Sequence, residues 1–154
     1  MATQARTRTK DLYAEDFYVW TVAQAALLRE RQFEALDFAN LIEEVEALGR
    51  AERSKTLNNA IVTIEHLLKL QHRPGQEPRN AWRASVCEHR RRLRRDLITP
   101  RLRQILGAEL PALHAEIRDD TAALLCDHGE DSAAEALPEA CPYTVEQITG
   151  DWWP

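Results

Sequence analysis

Between Asp37 and His72 the chain runs without a proline and with a single glycine, Gly49. Phe38, Leu41, Ile42, Val45 and Leu48 recur at spacings of three and four, and Leu57, Ala60, Ile61, Ile64 and Leu68 resume a compatible stripe. That period belongs to a helix, and the segment is far too long for a strand. It predicts one long helix, or two nearly collinear ones, over about 37–72. The Asp37 carboxylate is expected to cap it by accepting first-turn N–H groups. Val62 and Leu67 fall outside the main stripe, so "AIVTIEHLLKL" is expected to be the central helix, contacted from several sides.

The rest of the chain reads in the same way. "AEDFYVWTVAQAALLRERQ" spaces Phe17, Trp20, Gln24, Leu27 and Leu28 as a first helix, with acids at its start and bases at its end. "HRPGQEPRN" is a turn, Asn80 is expected to cap a helix reaching about Ile98, and Thr99-Pro100 to begin another. Gly129 should stop "LPALHAEIRDDTAALLCDH". Ser132…Glu135 and Thr144…Gln147 have the capping-box spacing and predict two short helices. No stretch alternates as a strand does. Alanine, leucine, glutamate and arginine dominate, which favours helices. The expected fold is all-α, a single-domain helical bundle over 11–154 with a long central helix and a small C-terminal helical cap. Residues 1–10 are expected to form a flexible basic tail. The tail "CPYT…DWWP" should fold back, because Tyr143, Ile148, Trp152 and Trp153 carry large apolar areas.

Charge is laid out in blocks. Residues 79–103 hold nine basic and two acidic side chains, whereas residues 104–154 hold one basic and eleven acidic. Within "HRRRLRRD", His89 and Leu93 share a packing stripe with Trp82, Val86 and Leu97. Arg90, Arg92 and Arg94 flank that stripe, and carboxylates of neighbouring helices, Glu43, Glu44 and Glu46 among them, are their expected partners. Arg91 and Arg95 point away, the two arginines free to face an external partner. Nucleic-acid binding is disfavoured, since the arginines wrap the helix and no aromatic residues interleave with them.

Chemistry-bearing motifs are few. Residues two apart on a helix, as in "CEH" and "CDH", cannot chelate one ion, and the Glu-x-x-His and His-Glu-x-x-His spacings are absent, so no metal is expected. Few glycines and no phosphate-cradling loop argue against a nucleotide cofactor, and no cofactor is expected. Cys87 and Cys126 read as core or near-core. Cys141 precedes a short helix whose N-terminus could stabilise its thiolate, although a space-filling role is the plainer reading. The remaining constellation is polar: Asn40, Glu43, Glu44, Glu46, His66, Trp82 and Arg90. It forms either a structural network or a pocket.

Six blocks in order, "DLYAEDFYVW", "ALDFANLIEEVEALGR", "EHLLKLQ", "AWRASVCEHRRRL", "CPYTVEQI" and "DWWP", resemble the bacterial family called domain of unknown function 29. The resemblance implies a compact, stand-alone helical protein, and it implies no activity, substrate or cofactor. Its polar and aromatic positions would include Asp16, Trp20, Asp37, Gly49, Tyr143 and Gln147 besides the constellation just named. This chain has His89 where the family suggests glutamine, and Trp152 where phenylalanine is usual. An odd cysteine count and the lack of any apolar run of ~18 residues fit a reducing cytoplasm and no membrane. The function expected is a non-catalytic protein-interaction or regulatory module, for instance of toxin–antitoxin type. An enzyme or metal-binding protein built on the polar constellation, and nucleic-acid binding through the arginine helix, are the alternatives.

Overall fold

The computed structural model describes residues 12–73 and 78–154. Every regular element among them is helical, and the fold is all-α. Helix α1 spans Phe17–Arg29, a short 3-10 turn spans Phe33–Ala35, and the long helix α2 spans Phe38–His72. Helices α3 (Arg79–Asp96) and α4 (Pro100–Asp127) follow, then the short α5 (Asp131–Glu135) and α6 (Val145–Thr149). The basic tail expected over residues 1–10 lies outside the described residues, as does the turn at 74–77. The chain divides into two compact units, Met1–Ala51 and Glu52–Pro154, with the boundary inside α2.

In the first unit, Asp16 caps α1, its carboxylate accepting from Val19 N–H at 3.0 Å. Tyr13 lies edge-on to Trp20, with ring centroids 4.9 Å apart, and Phe17 stacks on Trp20 at 5.6 Å. Trp20, Gln24, Leu36 and Asp37 are buried. The stripe expected to pack inward is corrected: Phe38, Ile42, Val45 and Leu48 are all exposed, Leu48 to 67%. Within this unit, Tyr13 reaches α2 at Glu44 and Trp20 reaches Asp37, the residue just ahead of α2, and neither bond is made at that stripe. Gly49 does not end the helix; an interior glycine costs only about 1 kcal/mol, which a helix of 35 residues absorbs.

The second unit holds the main core. Ile64, Leu67 and Leu68 from α2, Val86 and Leu93 from α3, and Leu106 from α4 are fully buried, with Leu137, Tyr143 and Ile148 closing over them. Burying one such leucine contributes roughly 1.5–3 kcal/mol. Pro100 occupies the first turn of α4, where its missing N–H costs nothing, and the helix continues through Pro111. Gly129, at φ 72°, ends α4: Glu130 N–H reaches back to Leu125 O at 2.8 Å and Gly129 N–H to Cys126 O at 2.9 Å.

The two capping boxes differ. Thr144 and Gln147 form theirs reciprocally at the start of α6. Ser132 forms none, because α5 begins at Asp131, two residues before a helix capped by Ser132 would start, and it has no side-chain cap. Asn80 is likewise inside α3, which follows Pro78 without a side-chain cap.

Candidate functional site

The polar constellation falls in two sets, one in each unit. In the first unit its centre is Asp37, 1% exposed. One carboxylate oxygen accepts from Trp20 Nε1 at 3.4 Å and Asn40 Nδ2 at 2.6 Å, and Asp37 N–H donates to Gln24 Oε1 at 2.9 Å. The expected cap therefore receives side-chain donors. Its other oxygen, Oδ1, and Gln24 Nε2 are buried without a partner. Glu44 accepts from Tyr13 O–H at 2.5 Å, and that bond to a carboxylate raises the phenol's pKa. Glu43 and Glu46 point outward and pair with Arg50 at 2.7 and 3.6 Å. All three are more than half exposed, so these pairs contribute about 0–1 kcal/mol.

In the second unit the centre is Arg90, 2% exposed. Its guanidinium meets no carboxylate. It donates from Nε to Ile148 O at 3.2 Å and from one terminal nitrogen to Gln147 O at 2.7 Å and Trp152 O at 2.6 Å. It also lies over the Trp153 ring at 4.9 Å, and Arg83 lies over the same ring at 4.3 Å. Desolvation lowers its pKa from the ordinary arginine range. Arg90 thus clasps the end of α6 and the segment after it, as the aromatic tail's folding back requires. These carbonyl acceptors are functional groups that side-chain patterns do not reveal.

The other arginines of α3 meet nearby acids. Arg91 and Arg92 share Glu88, and Arg94 reaches Asp151 at 3.2 Å. Arg95 is exposed and makes no ion pair among the described residues. Trp82 is buried, with the Arg73 guanidinium 5.5 Å from its ring. His66 is half-buried, with Nδ1 unpartnered; burial lowers its pKa, with the Glu65 carboxylate opposing that shift and the Lys69 ammonium adding to it.

Other expectations change. Cys87 and Cys126 are exposed, not core, because the burying face of each helix lies elsewhere. Burial pushes the Cys141 thiol up, which opposes thiolate formation. Among the described residues no group of three histidine, cysteine or carboxylate side chains could hold a metal ion. No described helix is long and apolar enough to cross a membrane. A groove of about 270 Å³ is lined by Ile61 and Glu65 of α2 and by Ile117, Asp120, Thr121 and Leu124 of α4.

Residues 12–153 match the family described as "Domain of unknown function DUF29". No curated protein and no solved structure matches the chain.

Proposed function

The chain belongs to the DUF29 family, and from that premise we propose that it is a non-catalytic protein-interaction module whose contact surface is the apolar face of its N-terminal unit. The supporting observation is the exposure of Phe17, Val22, Phe33, Phe38, Ile42, Val45 and Leu48 in one stretch of chain. Single exposed apolar residues are common, but a concentration of this kind marks contact surfaces. The described residues 12–51 carry eight acidic and three basic side chains. The partner of best fit is therefore a protein presenting a basic amphipathic helix, which buries its apolar side on α2 and meets the acids with its flanks. A two-protein module of toxin–antitoxin type is one such arrangement. A reducing cytoplasm is the proposed setting, since all three cysteines are free thiols.

The alternatives receive less support. Nε and one terminal nitrogen of Arg90 are engaged by carbonyls, which leaves an enzyme site little to work with. Arg91, Arg92 and Arg94 face acids, which dilutes a nucleic-acid grip. The test is purification from the native host of the wild-type chain and of an Ile42→Ser/Val45→Ser variant. A stoichiometric partner present with the first and absent with the second is expected. A wild-type chain that elutes alone, or as a dimer that the double variant breaks, would overturn a heterologous partner.

A further inference from the structure

We propose that the groove between α2 and α4 binds an alkylammonium group, supplied by a free aliphatic amine or by a lysine side chain. The walls are the side chains of Ile61, Ile117 and Leu124, the last 40% exposed, and they suit methylene groups. Two carboxylates share the lining, Glu65 from α2 and Asp120 from α4. Glu65 Oε1 is held by Lys69 Nζ at 2.5 Å, which orients the carboxylate and leaves Oε2. Asp120 makes no ion pair among the described residues, so the local balance stays negative after Lys69 is matched by Glu65.

Thr121 supplies an independent indication. It lines the same groove, is 2% exposed, and its hydroxyl has no hydrogen-bond partner. Other helical threonines of this unit return theirs to the carbonyl four residues back: Thr56 to Glu52 O, Thr63 to Asn59 O and Thr149 to Val145 O. A hydroxyl that forgoes this bond in a buried position is left to meet a donor from elsewhere. The volume, about 270 Å³, falls just below the ~300–1,000 Å³ of small-molecule sites. That suits a short chain ending in an ammonium and excludes a bulky ligand. An anion would meet two carboxylates.

The experiment is amide-shift titration of the full chain with hexylamine, hexanol and hexanoate, reading Ile61, Thr121 and Leu124. Hexylamine is expected to bind with Kd on the order of 1 mM. Each methylene removed should weaken it about fourfold. Asp120→Asn should weaken it roughly tenfold, a change of one pKa-unit scale in ion-pair strength. Thr121→Val, nearly isosteric, should also weaken it, while Asp119→Asn, outside the groove, should not. Comparison of butylamine with end-capped lysine separates the two sources: tighter binding by the capped residue points to a lysine of a protein, tighter binding by the free amine to a small molecule. Equal binding of hexanol, indifference to Asp120→Asn, or no shifts at these residues would overturn the proposal.

Discussion

Replacing Arg90 by methionine keeps the volume of the side chain and removes the fork that holds the chain's last helix. Hydrogen bonds from a charged donor contribute about 1.5–3 kcal/mol each, and Arg90 makes three. The gross loss is therefore about 5–9 kcal/mol. Two effects reduce it. The buried cation no longer suffers desolvation, worth several kcal/mol, and Trp152, 37% exposed, lies where water can replace the lost donor. The net destabilisation should be about 2–4 kcal/mol, or a fall in Tm of roughly 5–15 °C at this chain length. Thermal melts by circular dichroism measure this, and amide exchange should show lost protection over Val145–Thr149 before α2 loses any. Arg90→Lys should behave much like methionine, because a point ammonium cannot serve three carbonyls reached from two sides of a planar group. A Tm within about 2 °C of wild type, or full rescue by lysine, would refute the clasp.

His114 is fully buried with neither ring nitrogen hydrogen-bonded, and burial pulls its pKa below the ordinary value; His66 and His72 shift the same way. The folded state keeps these rings neutral, so stability is whole above pH ~6.5 and falls as the unfolded chain takes up protons below it. Urea midpoints should therefore drop from about pH 7 to pH 5, and His114→Leu should flatten the slope and raise the midpoint; an unchanged slope would contradict the assignment. Gly129→Ala should cost about 1 kcal/mol because φ is 72° there, whereas Gly49→Ala, with open space around its Cβ, should be neutral or stabilising in denaturant titrations. Thiol titration should label Cys87 and Cys126 rapidly and Cys141 slowly, from their exposure; a fast Cys141 would imply a looser tail.

The long helices were legible because a 3.6-residue period persists whatever surrounds it. What covers a stripe is not in the period: Leu57 and Ile64 are buried and Ile42 and Val45 exposed, although all belong to one apolar series on α2. Capping boxes show the same limit, since Ser132 and Thr144 have identical spacing to their partners. The Schellman turn at Gly129 sets where α5 begins, and Glu130, held by Arg73 at 2.9 Å, takes the N-cap position, so Ser132 falls two positions too late to cap it. In the candidate site, the wheel places Arg90 correctly beside the packing stripe. Carboxylates were the expected partners because they are visible as residues; backbone carbonyls belong to every residue, and only tertiary structure selects Gln147, Ile148 and Trp152. Local sequence makes Asp37 a cap, whereas its side-chain donors, one of them Trp20, come partly from seventeen residues away.

The clasp also imposes an order on synthesis. Arg90 is made 57 to 62 residues ahead of the carbonyls it serves. At ~5–20 residues per second, the guanidinium waits roughly 3–12 s for its acceptors. During that interval α3 presents its arginines while Asp151 is also still to come. A chain stalled on the ribosome before Ile148 should thus cling to polyanions in a way the released protein does not. Comparing heparin retention of a stalled and a completed chain checks this, and equal retention would show that the basic helix is neutralised without its tail.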